Sequence, residues 1–197
     1  LNNYRGLVNN IAECDPQVDY SIFECGMARI GSVENKSRLA KPHIALITDI
    51  QADHLKHHKN LKSIARTKAE IFKGMDSQGI AVLNHDNPYY DYLVKKAHQH
   101  GLRHIISFGQ SAQATLRIID YQLSAHGCNI RIVIGRRELN YHLNAIGKSS
   151  VYNSAAVLAV LHALQLPLMD YVHYLSEFTA PEQRGKIFHM QVRDKPI

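Results

Sequence analysis

The feature that most constrains this chain is an alternation of short apolar runs with longer helical ones. HIALIT at residues 43–48, GIAVLN at 79–84 and HIISF at 104–108 are short and rich in Ile, Val and Phe, as buried strands are. Residues 60–73 and 89–100, which separate them, carry helical periodicity, and Gly101 closes the second. Strand, helix, strand, helix, strand implies parallel pairing, because each helix must carry the chain back to the start of the sheet. A further run, VDYSIFE at residues 18–24, ends in an acid and reads as a strand ahead of the other three. The pattern then changes. Runs at 115–124 and 129–134, split by His126-Gly127, and a third at 138–146 read as a small antiparallel meander. An Ala- and Leu-rich helix is expected over 151–165 and a shorter one over 170–178, punctuated by Pro167 and Pro181. The expected class is therefore α/β: a mostly parallel sheet with crossover helices plus a small antiparallel β meander.

A chain of 197 residues buries roughly two thirds of its unfolded surface and needs no covalent staples. Cys14, Cys25 and Cys128 are odd in number and lack CxxC spacing, which fits a reducing cytoplasm. No apolar run approaches the roughly 18 residues that cross a bilayer, and no signal peptide is evident. No membrane partner is expected. The first residue is Leu1 rather than Met, which suggests a fragment of a longer protein. Basic side chains exceed acidic ones by 23 to 17, a net +6. Between Gly31 and Gly74 the ratio is nine to four, so this stretch carries +5 of the total. Such a surface attracts nucleotide phosphates, an anionic substrate or nucleic acid. Nucleic acid is disfavoured, since no aromatic residues interleave with these bases for stacking.

One of those bases is out of place. On the helix at 60–73, Leu61, Ile64, Ala65, Ile71 and Phe72 form an apolar stripe, and Lys68 falls in its middle. A buried ammonium is costly. Two readings stay open: Lys68 snorkels or pairs with an acid such as Glu24, or it is kept neutral for chemistry. Glu24 ends one apolar run, and Asp53-His54 follows HIALIT by a short turn. Catalytic groups of parallel sheets gather beyond the carboxyl ends of the strands, so Glu24, Asp53, His54 and Lys68 can share one edge. A carboxylate with an imidazole suits an oxygen-rich divalent cation. His54, His57 and His58 could also form a zinc cluster, although three ligands from one turn rarely close a tetrahedron.

The residues now resemble a family. Phe23-Glu24-Cys25-Gly26-Met27 is similar to the Glu-x-Gly-Met strand end of the Mur ligases' central, ATP-binding domain. Thr48-Asp49-Ile50-Gln51-Ala52-Asp53-His54-Leu55 resembles its Thr-Asn-Ile-x-x-Asp-His-Leu. Ile64-Ala65-Arg66-Thr67-Lys68-Ala69-Glu70-Ile71-Phe72 resembles Ile-Ala-x-x-Lys-x-Glu-Ile-Phe. Gly79-Ile80-Ala81-Val82-Leu83-Asn84-His85-Asp86-Asn87-Pro88 resembles Gly-x-Ala-Val-Leu-Asn-x-Asp-Asp-Pro. Val151-Tyr152-Asn153-Ser154-Ala155-Ala156 and Gln183-Arg184-Gly185 resemble the later Asn-Ala-x-Ala and Gly-Arg-Gly segments.

The resemblance implies a P-loop-NTPase-like middle domain over 1–180, truncated, with 181–197 starting a linker to a further domain. It implies an ATP-dependent amide ligase of cytoplasmic peptidoglycan precursor synthesis, acting through an acyl phosphate. The forms around Glu24 and Lys68 look most like the branch that adds D-alanyl-D-alanine to the UDP-linked muramoyl tripeptide. Lys68 and His54 would be catalytic, Glu24, His54 and Lys68 would hold Mg2+, and Lys68 would be carbamylated. Asn153, Arg184, Asp86 and Asn87 would contact ATP. The UDP-linked muramoyl peptide would be bound through domains outside this chain.

Departures from the family are also visible. No complete Gly-x-x-x-x-Gly-Lys-Ser/Thr phosphate loop occurs, so the chain alone is not expected to turn over ATP. Asp49 stands where the family has Asn, and Ser149-Ser150 where it has His-Asn. Alternatives are a Mur-like ligase for poly-γ-glutamate or cyanophycin, or a non-catalytic module that binds anions or nucleic acid. Outside the resemblance, Asn153 reads as a helix cap, Cys25 as a small buried residue and Arg136-Arg137 as a turn.

Overall fold

A computed structural model describes residues 2–52, 60–178, 191–192 and 195–196. The chain divides into two compact units, Leu1–Ser107 and Phe108–Ile197. In the first, helices α1 (Tyr4–Ala12) and α2 (Ser32–Ala40) precede strand β1 (Ile44–Ile47). Helix α3 (Leu61–Ala69) follows and tightens into a 3-10 turn, Glu70–Gly74. Strand β2 (Ile80–Asn84), helix α4 (Tyr90–Gln99) and strand β3 (His104–Gly109), which crosses the unit boundary, complete the alternation. β1 and β2 pair in parallel, with Ile44 opposite Ile80 and Ile47 opposite Leu83. The crossover pattern expected from the sequence is thus present at HIALIT, GIAVLN and HIISF.

Local chemistry sets the helix ends. Asn60 caps α3: its side-chain oxygen accepts from the Ser63 N–H at 2.9 Å, and Ser63 Oγ donates to the Asn60 carbonyl at 2.8 Å. α4 closes through Gly101, whose φ of +86° suits the residue without a Cβ. There the Gly101 N–H donates to His98 and the Leu102 N–H to Ala97, which satisfies the last carbonyls. Ala45, Ile47, Ile64, Ala65, Phe72, Ala81, Leu83, Leu93 and Leu102 form the core between strands and helices.

Two expectations for this unit need correction. Residues 18–24 form no strand: Val18, Tyr20 and Ile22 are exposed, Ile22 by 94%, and no described strand pairs with their backbone. An apolar run becomes a strand only where a neighbour takes up its N–H and C=O groups. Conversely, α1 and α2 were not anticipated. α2 reads SVENKSRLA and is polar on average, with few apolar residues to announce it. Its first turn is instead satisfied from 36 to 39 residues away, by the buried carboxylate of Glu70. One Glu70 oxygen accepts from the Gly31 N–H at 2.7 Å, and the other from the Val33 and Glu34 N–H groups at 3.3 Å.

In the second unit, Phe108-Gly109 of β3 pairs in parallel with Leu116-Arg117 of β4 (Leu116–Ser124). β4, β5 (Gly127–Ile134) and β6 (Arg137–Leu143) form the antiparallel meander, with a bulge between Ile118 and Asp120. Helix α5 (Lys148–Ala163) is apolar around most of its surface and buries Val151, Ala155, Leu158 and Ala159. The buried Tyr141 hydroxyl meets Ser154 Oγ at 2.8 Å, and burial pushes the phenol's pKa well up. The segment expected as one helix over 170–178 is two short ones, α6 (Leu168–Tyr171) and α7 (Tyr174–Glu177). Strands β7 (Gln191–Val192) and β8 (Lys195–Pro196) form a separate two-residue ladder. Among the described residues no helix is long and apolar enough to cross a membrane.

Candidate functional site

β1 and β2 run parallel, so the residues that follow them emerge at the same end of the first unit. Two residues beyond β1 lies Asp49, around which the site is organised. Its backbone carbonyl accepts from Lys68 Nζ at 2.6 Å. One carboxylate oxygen accepts from the Ile50 N–H at 2.8 Å and from Asn87 Nδ2, and the other from Gln51 Nε2 at 2.5 Å. Asn87 and Asn84 are each 7% exposed. Asn84 Oδ1 accepts from the Asp86 N–H at 3.0 Å, and Asn87 Oδ1 from the Tyr89 N–H at 2.9 Å. The turn after β2 is therefore built from its own side chains, which turn Asn87 toward Asp49 and leave Asp86 exposed.

Lys68 differs from its expected setting. Ile64, Ala65, Thr67 and Ala69 fill the buried face of α3, and Lys68 is half-buried beside it. There its ammonium donates to a backbone carbonyl, that of Asp49. The 3.6-residue period had overstated its burial, because Leu61, the first residue of the assumed stripe, lies 36% exposed.

Glu24 sits in an exposed loop, where its carboxylate accepts from Asn2 Nδ2 at 2.8 Å. The Gly26 N–H donates to the Asn2 carbonyl at 2.9 Å, and a Cβ on Gly26 would come within 2.7 Å of Asn2. From α2, the ammonium of Lys36, only 4% exposed, donates to the Gly26 carbonyl. The loop carrying Glu24 is thus held from both sides. Burial pushes the Cys25 thiol up, Lys36 opposes this and Glu24 adds to it. A raised thiol is a weak nucleophile at neutral pH, in keeping with a packing role for Cys25.

Asn153 is exposed and lies one turn inside α5, which begins at Lys148 after Gly147. It is therefore not the cap that its local sequence suggested. Gly147-Lys148-Ser149 opens that helix, but His142 stands five residues before Gly147, where a phosphate loop has its first glycine. α5 also follows an antiparallel strand rather than a parallel one. Asp53, His54, His57, His58 and Arg184 lie outside the described residues. Among the described residues no group of three or more His, Cys, Asp and Glu is placed to hold a metal.

Three residues that organise this region escaped the sequence reading: Asp49, Lys36 and Glu70. Asp49 had a signal, as the acid in place of an expected amide. Lys36 and Glu70 had none, since their partners are 10 and more than 30 residues away.

Comparison with known proteins gives a consistent result. The UDP-N-acetylmuramoyl-tripeptide--D-alanyl-D-alanine ligase of Rickettsia prowazekii is 30% identical over 191 residues, covering 97% of this chain and 42% of that protein. The Escherichia coli K12 protein of the same description is 27% identical over 198 residues, covering 100% of this chain and 43% of its own length. The chain thus spans less than half of these curated relatives. Among solved structures, a crystal structure of MurF from Acinetobacter baumannii superposes with a TM-score of 0.88 at 22% identity, covering 99% of this chain and 42% of that one. MurF ligase from Thermotoga maritima in complex with ADP gives 0.64 at 20% identity, over 83% of this chain and 38% of its own. A family model described as the Mur ligase middle domain matches residues 1–161, and the chain belongs to that family.

Proposed function

We propose that residues 1–180 are the middle domain, and 181–197 the start of a linker, of an ATP-dependent ligase that joins D-alanyl-D-alanine to a UDP-linked muramoyl tripeptide in the cytoplasm. The observation that carries this reading is the convergence of Lys68 and Asn87 on Asp49 at the carboxyl ends of β1 and β2. In such a reaction ATP phosphorylates a substrate carboxylate. The amine of the incoming dipeptide then attacks the acyl phosphate, and phosphate leaves.

Glu24, His54 and Lys68 are the residues that would hold Mg2+. The donor chemistry fits on one condition. An ammonium only donates, whereas a lysine that had taken up CO2 would supply carbamate oxygens which, with the Glu24 carboxylate, would make the oxygen donor set a hard cation requires. Magnesium, when bound, offsets charge on the transferring phosphoryl group. Within the chain, the Asp49 carbonyl holds Lys68 by its terminal nitrogen, and the Asp49 carboxylate holds the Asn87 amide. Asp86, Asn87, Asn153 and Arg184 are assigned to the nucleotide.

The test uses the full-length parent protein. Lys68→Ala is expected to lower substrate-dependent ADP release roughly 100-fold or more, as loss of one transition-state contact does, with partial rescue by a short carboxylic acid that replaces the carbamate. Full activity in Lys68→Ala, with UDP-muramoyl tripeptide and D-alanyl-D-alanine supplied, would overturn the reading.

A further inference from the structure

The opposite end of the same two strands is built differently. His43 precedes β1, and Asp76 lies just ahead of β2, so both lie at the amino ends, with the Ile80 N–H donating to the His43 carbonyl at 2.9 Å. Here a depression of about 430 Å3 is lined by Arg38, Lys41, His43, Lys73, Met75 and Asp76. β1 separates it from Asp49 by roughly 13 Å of extended chain, so it is not part of the site around Lys68.

The depression is held in shape by tight packing. Gly74 lies so close to α2 that a Cβ would come within 2.1 Å of the Ser37 backbone. The Ser37 hydroxyl donates to the Ile71 carbonyl. This fixes Lys73 beside Arg38, and Glu34 bridges the two, at 2.5 Å from Lys73 Nζ and 2.9 Å from Arg38 Nη2. With both clamped, Lys41 at the end of α2 adds a third positive charge. Glu34 and Asp76 supply two negative ones, and His43 adds a neutral donor or a further cation.

His100, at the end of α4, reports the local field. Its pKa is lowered first by desolvation and then by Lys73, Lys96 and Arg38, while Glu34 alone acts to raise it. Among the described residues no Phe, Tyr or Trp lines the depression, and His43 is its one ring, so it offers fixed cations and little stacking surface. These are requirements of a compact, multiply charged anion.

We infer that the depression between Arg38, Lys41, His43 and Lys73 is a second anion site, selective for a phosphate-type group on a small molecule. It is independent of the ligase reading, since it uses neither Lys68 nor Asp49.

The probe is inorganic pyrophosphate, titrated into the 197-residue chain by calorimetry, with the His100 imidazole followed by NMR. Binding is expected to weaken with salt and to raise the His100 pKa, because the bound anion offsets Lys73 and Arg38. Arg38→Gln combined with Lys41→Asn, the latter tolerant of the left-handed backbone at φ 46°, should weaken binding about tenfold. Asp76→Asn keeps the acceptor for the Gln78 N–H and should strengthen binding two- to threefold, roughly the effect of removing one exposed repulsive charge. Lys68→Ala should leave it unchanged. An Arg38/Lys41 variant that binds as before, an unmoved His100, or binding lost only in Lys68→Ala would each overturn the proposal. Tighter binding of a single-stranded oligonucleotide than of pyrophosphate would overturn the assignment to a small anion.

Discussion

The two ends of β1 and β2 hold charge by different means. At the carboxyl end a single carboxylate, Asp49, accepts from two side-chain amides and one backbone N–H, while its carbonyl accepts from Lys68. This is a hydrogen-bond network, and its geometry follows from direction and burial. At the amino end Glu34 bridges two cations, one of which, Arg38, is 61% exposed. That arrangement is electrostatic and is positioned by backbone packing beneath it. The difference teaches that a basic segment read as one surface can serve two sites. Each end should also fail in its own way, by lost packing at one and by unsatisfied polar groups at the other.

The largest expected effect lies at the amino end. Gly74→Ala would set a methyl 2.1 Å from the Ser37 backbone carbon and 2.2 Å from its oxygen. Neither can move aside as a flexible side chain would. The substitution should cost about 3 kcal/mol by overpacking, read as a shift of the urea midpoint of the 197-residue chain. It should also separate Lys73 from Arg38 and abolish pyrophosphate binding. A change below about 0.5 kcal/mol, the range of an ordinary surface substitution, would mean that α2 and the 3-10 turn do not pack this closely.

Next in size is the hub at the carboxyl end. Asp49→Ala leaves the amide of the buried Asn87 without its acceptor, and such a group costs about 2 kcal/mol. Asp49→Asn keeps one oxygen for Ile50 and Asn87, and Gln51 can turn its amide to face the new NH2, so the loss should stay under about 1 kcal/mol. In a double-mutant cycle, Asn87→Ala should add little once Asp49 is Ala. Additive losses would show that the two side chains do not act together.

These contrasts bear on what the sequence could reveal. The parallel alternation was legible because each strand is a short run rich in Ile, Val or Phe and bounded by turn residues, so composition alone marks it. The run at 18–24 misled because strand propensity says nothing about whether a partner strand is present. α2 was hidden because its first turn is capped by Glu70 across the fold rather than by a neighbouring side chain. At the site, Lys68 stood out by helical spacing, but its bond to the Asp49 carbonyl did not, since a backbone carbonyl leaves no mark in sequence. The nine bases between Gly31 and Gly74 likewise gave one charge run. Only the direction of β1 divides Arg38 and Lys41 from Lys68.

The smallest effect separates the ends by pH. Hydrogen bonds from Lys73 and then Arg38 hold the Glu34 carboxyl below its ordinary value of 4.5. A carboxyl with a depressed folded pKa favours the fold while it is ionised. Its contribution is therefore complete above the unfolded value of 4.5 and fades as pH falls through the lower, folded one. Because the bridge is partly exposed, its worth is small. A carboxyl-selective NMR titration should find Glu34 protonating below its ordinary value of 4.5. Glu34→Gln should remove a matching part of the acid dependence of stability and leave the Asp49 network intact at neutral pH. If Glu34 titrated at or above 4.5, the clamp beneath the proposed anion site would not exist in solution, and the contrast between the two ends would collapse to one of burial alone.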